Sequence, residues 1–135
     1  MEDEITEILK KYRNVAVVGL SDKPERDSYR VASYLHTHGY NIIPVNPSFS
    51  MWNGIRAYPD LKSIPDNQKV EIVDIFRKSE AVPEIVRESI PLKPEVVWMQ
   101  EGVVSEEGRR IAEGAGIRVV MDRCIMKEHS KRSGK

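Results

Sequence analysis

The sequence predicts a doubly wound α/β domain, a parallel sheet with helices on both faces, and three observations carry that prediction. Five short apolar runs recur along the chain, at Val15 to Val18, Ile42 to Val45, Val70 to Phe76, Glu95 to Met99 and Ile117 to Met121. These runs are nearly all apolar, with little alternation, which is the pattern of strands buried on both faces. Amphipathic stretches separate most of them, and Gly39, Gly114 and Gly116 stand where a helix would hand over to the next strand, as C-terminal caps do. Strands alternating with helices give parallel crossovers.

The elements follow in order. Glu2 to Tyr12 places Ile5, Ile8, Leu9 and Tyr12 at helical spacing and predicts a helix packed on the sheet edge. Asn14 to Pro24, N-V-A-V-V-G-L-S-D-K-P, reads as a buried strand that breaks at Gly19, where a residue without Cβ lets the backbone turn sharply and approach a neighbour or ligand closely. Tyr29 to His38 is the next helix, with Val31, Ala32, Tyr34 and Leu35 along one side, and Ala81 to Ser89 and Ser105 to Gly114 are two more. Ile55 to Tyr58, between Gly54 and Pro59, reads as a sixth short strand, third in chain order, within a crossover that has little helix. The expected strand order is 3-2-1-4-5-6, with a domain over 1–126 and a basic, aperiodic, flexible tail over 127–135.

Composition narrows the function classes. Lysine plus arginine and aspartate plus glutamate each number 21, so the formal net charge is zero, unlike a general nucleic-acid binder, and any basic site must be local. The single cysteine, Cys124, forms no internal disulfide and fits a reducing compartment. The acidic start has no apolar signal core, and no window approaches the roughly 20 apolar residues of a membrane span. A soluble, cytoplasmic protein with no membrane association is expected. His36 and His38 are two apart on a helix and face different ways, so no metal site is expected. No G-x-S-x-G elbow occurs, so a serine nucleophile has no support.

Ligands of doubly wound sheets lie beyond the carboxyl ends of the strands, at the switch point beside the first strand. Four segments meet that edge: Gly19 to Arg26, Asn46 to Trp52, Arg77 to Ser79, and Gln100 to Val103. In the first, the amides of Gly19, Leu20 and Ser21, the Ser21 hydroxyl and the helix start near Ser28 offer donors to a phosphate, and Lys23 and Arg26 add charge. The other reading is a capped turn with solvated charges. A dinucleotide loop would need G-x-G-x-x-G, and only the first glycine is present. An NAD site needs an acid where Val45, Asn46 and Pro47 stand, and an NADP site needs a cation where Asn41 to Asn53 has none. The arrangement suits a nucleotide whose phosphates gather at the first loop, with adenine by Pro47 and Met51 or Trp52. Arg77, just after Phe76, either meets phosphate or pairs with Asp74 or Glu80. Gln100 either bonds a ligand amide or anchors its own loop, and Gly102 would allow close approach. Cys124 follows Arg123, so it reads either as a cysteine whose thiolate the arginine favours or as a small packed hydrophobe.

Taken together, V-V-G-L-S-D-K-P (17–24), S-Y-R-V (28–31), Y-L-H-T-H-G-Y (34–40), I-P-V-N-P (43–47), G-I-R-A-Y-P-D-L (54–61), V-D-I-F-R (73–77), V-W-M-Q-E-G-V (97–103) and V-M-D-R-C (120–124) resemble the single-domain coenzyme A-binding proteins. That Rossmann-like family is related to the CoA-binding domain of the succinyl-CoA synthetase α subunit. The resemblance implies that CoA binds with its pyrophosphate at Gly19, Leu20 and Ser21, its adenosine near Asn46 and Pro47, and its pantetheine arm toward Gln100 and Gly102. Lys23, Arg26 and Arg77 become the candidate phosphate contacts, with Ser28 and Phe76 beside them, and dephospho-CoA is expected to bind more weakly than CoA if Lys23 or Arg26 holds the 3′-phosphate. Related synthetases use a second domain carrying a phosphorylated histidine, so synthetase activity is not implied by a chain that reads as one domain. The expectation is a non-catalytic carrier or sensor of CoA or acyl-CoA. The alternative is a small NADP-dependent reductase or a detached CoA-binding component of an acyl-CoA synthetase. Replacing Gly19 by valine is expected to abolish nucleotide binding and leave the fold largely intact.

Overall fold

The structure, a computed structural model, describes residues 3–133; Glu2 of the expected first helix, and Gly134 and Lys135 of the expected tail, lie outside them. The chain runs α1 (Glu4–Lys11), β1 (Asn14–Val18), α2 (Asp27–Thr37), β2 (Asn41–Val45), β3 (Met51–Trp52), β4 (Ile55–Arg56), β5 (Ile72–Ile75), α3 (Val82–Ser89), β6 (Val96–Met99), α4 (Glu106–Gly114), β7 (Arg118–Val120) and α5 (Ile125–Arg132). Five parallel strands form the main sheet in the order β2-β1-β5-β6-β7.

Successive strand residues point to opposite faces, and the two cores divide accordingly. Val15 and Val17 of β1, Ile72 of β5 and Trp98 of β6 pack with Ile8, Leu35 and Ile125 of α1, α2 and α5. Ala16, Val18, Val73 and Met99 pack on the other side with Val82, Val86 and Ala112 of α3 and α4. The predicted doubly wound α/β class is therefore what the chain adopts. No helix among the described residues is long and apolar enough to cross a membrane.

Three expectations are corrected. The third strand of the predicted order is absent from the sheet: Asn53 and Gly54, at φ +49° and +81°, form a tight turn that folds β4 back antiparallel onto β3. Only Tyr58 then reaches the edge of β2, where its amide donates to the Pro44 carbonyl and its carbonyl accepts from Asn46, each at 2.9 Å.

Helix α1 lies on the sheet face beside α5 rather than at an edge, because Ile8 and Leu9 enter the same core as Trp98 and Ile125.

Residues 127–132 are not an aperiodic tail but most of α5. Its inward side carries Glu128, only 5% exposed, held by Arg132 Nη1 at 2.8 Å and Lys131 Nζ at 3.3 Å, while Arg132 Nε donates to Thr6 of α1 at 2.7 Å. His129 Nδ1 lies 2.8 Å from the Tyr34 hydroxyl of α2. A helix that buries charged and polar groups through such partners leaves no apolar period in its sequence.

Candidate functional site

Strand β1 delivers Gly19 to the carboxyl edge with φ +88°. A Cβ there would sit 2.4 Å from the Phe76 carbonyl oxygen and 2.9 Å from Arg77 Cδ. The missing side chain is therefore what lets the first loop and the end of β5 touch.

The loop is cross-braced beyond that point. Asn46 Nδ2 donates to the Leu20 carbonyl at 2.9 Å, and the Asn46 Oδ1 accepts from Ser48 N at 2.8 Å. Trp52 Nε1 donates to the Ser21 carbonyl at 3.1 Å. The Ser21 amide donates to Ser28 Oγ at 2.9 Å, and Ser21 Oγ accepts from the Lys23 amide at 3.0 Å. Leu20 is fully buried.

These bonds redefine which groups can meet a ligand. The Gly19 amide is spent on the Val45 carbonyl at 2.9 Å and the Ser21 amide on Ser28, so two of the three expected loop donors are internal. Helix α2 begins after Arg26 without a side-chain cap, and its first-turn amides point out of the helix end. Arg26 and Arg77 have no ion pair among the described residues. By contrast Arg30 is engaged by Asp27, and Lys127 Nζ holds Glu101 at 2.9 Å.

Three concavities lie along this edge and share walls. A cavity of about 440 Å³ is lined by Gly19, Arg26, Asn46, Pro47, Phe76 and Arg77, among others. Phe76 and Arg77 also wall a second, of about 590 Å³, which reaches Gln100, Cys124 and Met126. Pro47 and Pro59 join the first to a third, of about 720 Å³, floored by Phe49, Met51 and Arg56 of the β3–β4 hairpin. The three adjoin as a track from the hairpin, past Gly19, to the start of α5.

Gly19, Arg26, Asn46, Pro47, Phe76, Arg77 and Gln100 thus line the track. Leu20, Ser21, Lys23, Ser28 and Gly102 line none of its three parts and serve the loops instead. Gly102, at φ +87°, turns the chain, has open space where a Cβ would stand and donates its amide to Asp122 Oδ1 at 2.7 Å. Gln100 is an anchor as well as a lining residue, because its Oε1 accepts from the Ile125 amide at 3.2 Å and caps α5. Trp52 is withdrawn from any adenine contact: it is 2% exposed and packs edge-on to Tyr29 at 5.3 Å. The ion pair of Arg77 with Asp74 does not exist, since both Asp74 carboxylate oxygens are buried without a partner and burial raises its pKa well above the usual range. Cys124, 7% exposed, packs in the core and also borders the second cavity. Arg56, Phe49 and Lys78 were not singled out in the sequence.

Comparison with known proteins bears directly on this edge. A family profile described as a CoA binding domain matches residues 13–130, from just before β1 into α5. The chain belongs to this CoA-binding domain family. Its relatives include the uncharacterized protein YneT of Bacillus subtilis, 40% identical over 127 residues that cover 94% of this chain and 93% of YneT. A hypothetical protein from Pyrococcus horikoshii of known structure is 39% identical, with a TM-score of 0.92 over 99% of this chain and 100% of the other. The α subunit of an ADP-forming acetate–CoA ligase II from Pyrococcus furiosus is 29% identical over 122 residues; the match takes in 84% of this chain but only 27% of that subunit. The CoA-binding domain is thus shared by proteins of this size and by one segment of a much longer ligase subunit.

Proposed function

We propose that the protein binds coenzyme A or acyl-CoA along the track at the carboxyl edge, as a non-catalytic carrier or sensor module. The observation that carries this reading is the row of three adjoining cavities with shared walls, which suits an extended ligand with a diphosphate between two different ends. Arg26, Arg77 and the first turn of α2 meet the diphosphate over Gly19, where two arginines without acidic partners and a positive helix end favour an anion. Asp60 and Glu88 border the same cavity but already accept from backbone amides, Asp60 from Ser63 at 2.9 Å and Glu88 from Leu61 at 3.3 Å. The adenosine lies toward Pro47, Phe49 and Met51, of which Met51 is 54% exposed. The pantetheine arm runs past Phe76 toward Gln100, which brings its thiol beside Cys124. Leu20, Ser21, Ser28 and Asn46 act by fixing the shape of the loop beneath the diphosphate. The family and the ligase relative support CoA as the ligand class.

Isothermal titration calorimetry tests the reading. CoA is expected to bind at least about tenfold more tightly than NAD or NADP. Arg77→Met is expected to weaken CoA by about 10- to 100-fold, the range of a charge-assisted contact to phosphate, with an unchanged melting temperature. An absence of heat with CoA, or tighter binding of NADP, would overturn the proposal.

A further inference from the structure

We infer that Arg56 reads the 3′-phosphate of the adenosine ribose, and that the β3–β4 hairpin is therefore the element that distinguishes CoA from its dephosphorylated form. The inference rests on the CoA reading above and goes beyond it by assigning a group that neither the loop after β1 nor α2 supplies.

The argument is one of placement. The segment that follows β2 has no lysine or arginine from Asn41 to Asn53, so the adenosine end lacks a cation in the linear sequence. The turn at Asn53 and Gly54 brings one back. It pairs Met51 with Arg56 across the hairpin, so that the guanidinium returns to the same groove as Pro47, Phe49 and Met51. Arg56 is the one charged residue of that lining; the rest is proline, serine, alanine, methionine and phenylalanine. Its guanidinium carbon stands 5.6 Å from the centre of the Tyr58 ring, which steadies its stem while the side chain stays exposed, and it has no ion pair among the described residues. Tyr58 is itself fixed to β2 through Pro44 and Asn46, so the cation is tied to the sheet edge and not to a free loop. The two cations named from the sequence are placed differently: Lys23 borders no part of the track, and Arg26 lines the central cavity with Arg77. A ligand that puts its diphosphate over Gly19 and its adenine against Pro47 carries a ribose monophosphate at the hairpin, and a planar guanidinium suits a dianionic phosphate.

The test is calorimetry with CoA and dephospho-CoA on the wild type, Arg56→Met, Arg56→Lys and Arg77→Met. The wild type is expected to prefer CoA by about 10- to 100-fold. Arg56→Met is expected to bind dephospho-CoA as the wild type does while losing most of its preference for CoA, and Arg56→Lys to recover part of it. Arg77→Met should weaken both ligands together and keep their ratio. An Arg56→Met protein that still discriminates, or a wild type that never did, overturns the role of Arg56 and leaves CoA binding standing. A wild type that binds neither ligand overturns both.

Discussion

Gly19→Ala is expected to destabilise the protein by about 3 kcal/mol or more, because it combines a backbone conformation that L residues disfavour with a backbone collision. The new Cβ would meet the Phe76 carbonyl oxygen at 2.4 Å, and that oxygen belongs to a strand end held by its neighbours, so it cannot swing aside as a flexible side chain would. For a domain of this size a loss of that magnitude lowers the melting temperature by about 10 °C or more. Gly102→Ala is the internal control: it has nearly the same positive φ, +87° against +88°, but nothing within 4 Å of the added atom. The difference between the two melting temperatures therefore isolates the contact with Phe76. Equal, small shifts for both variants would show that the close approach has no energetic weight. The expectation from sequence, that a larger residue at 19 removes binding and spares the fold, is replaced by a coupled one. The atom that would intrude on the proposed ligand also collides with the Phe76 carbonyl, so binding by such a variant has to be measured well below its melting temperature.

The second large effect concerns Asp74, at the centre of β5 between Val17 and Trp98. It is fully buried, its carboxylate oxygens have no hydrogen-bond partner, and the neighbouring indole N–H is already given to the Arg123 carbonyl at 2.7 Å. Burial favours the neutral acid and raises its pKa well above 3.8. The unfolded chain releases this proton near pH 4 while the native protein keeps it, so the native state binds more protons and stability falls as pH rises from about 4 through the raised native pKa. The slope of this contribution is about 1.4 kcal/mol per pH unit for one proton. Asp74→Asn carries no such proton. Its stability relative to the wild type is expected to increase steadily with pH across that window, in urea melts taken at pH 4.5, 6 and 7.5. Parallel profiles for the two proteins would sink the assignment.

Much of the fold was legible because the strands are buried on both faces and the helices on one. Val15 to Val18 or Val96 to Met99 can only be central parallel strands, and the period of Val31, Ala32 and Leu35 marks α2. The hairpin was legible too, in principle: Asn53-Gly54 is the dipeptide that tight two-residue turns require, and weighing it above the β-prone Ile55 to Tyr58 would have removed the third strand and drawn attention to Arg56. Helix α5 was not legible, since Glu128, His129 and Arg132 look like surface residues until Arg132, Lys131, Thr6 and Tyr34 surround them.

The site divides in the same way. By itself the sequence determined the α/β class, the break of β1 at Gly19 and the absence of an NAD acid after β2, and it pointed to the carboxyl edge as the place proposed for a ligand, because each depends on residue type within a local run. Only the tertiary structure decided which groups remain available there. The Gly19 and Ser21 amides, the Asn46 Nδ2 and the Trp52 indole are consumed by partners from 7 to 31 residues away. Arg26, Arg77 and, across a tight turn, Arg56 are left facing one track. Hydrogen-bonding capacity is a property of pairs, and which partner a donor meets is settled only once distant segments pack together.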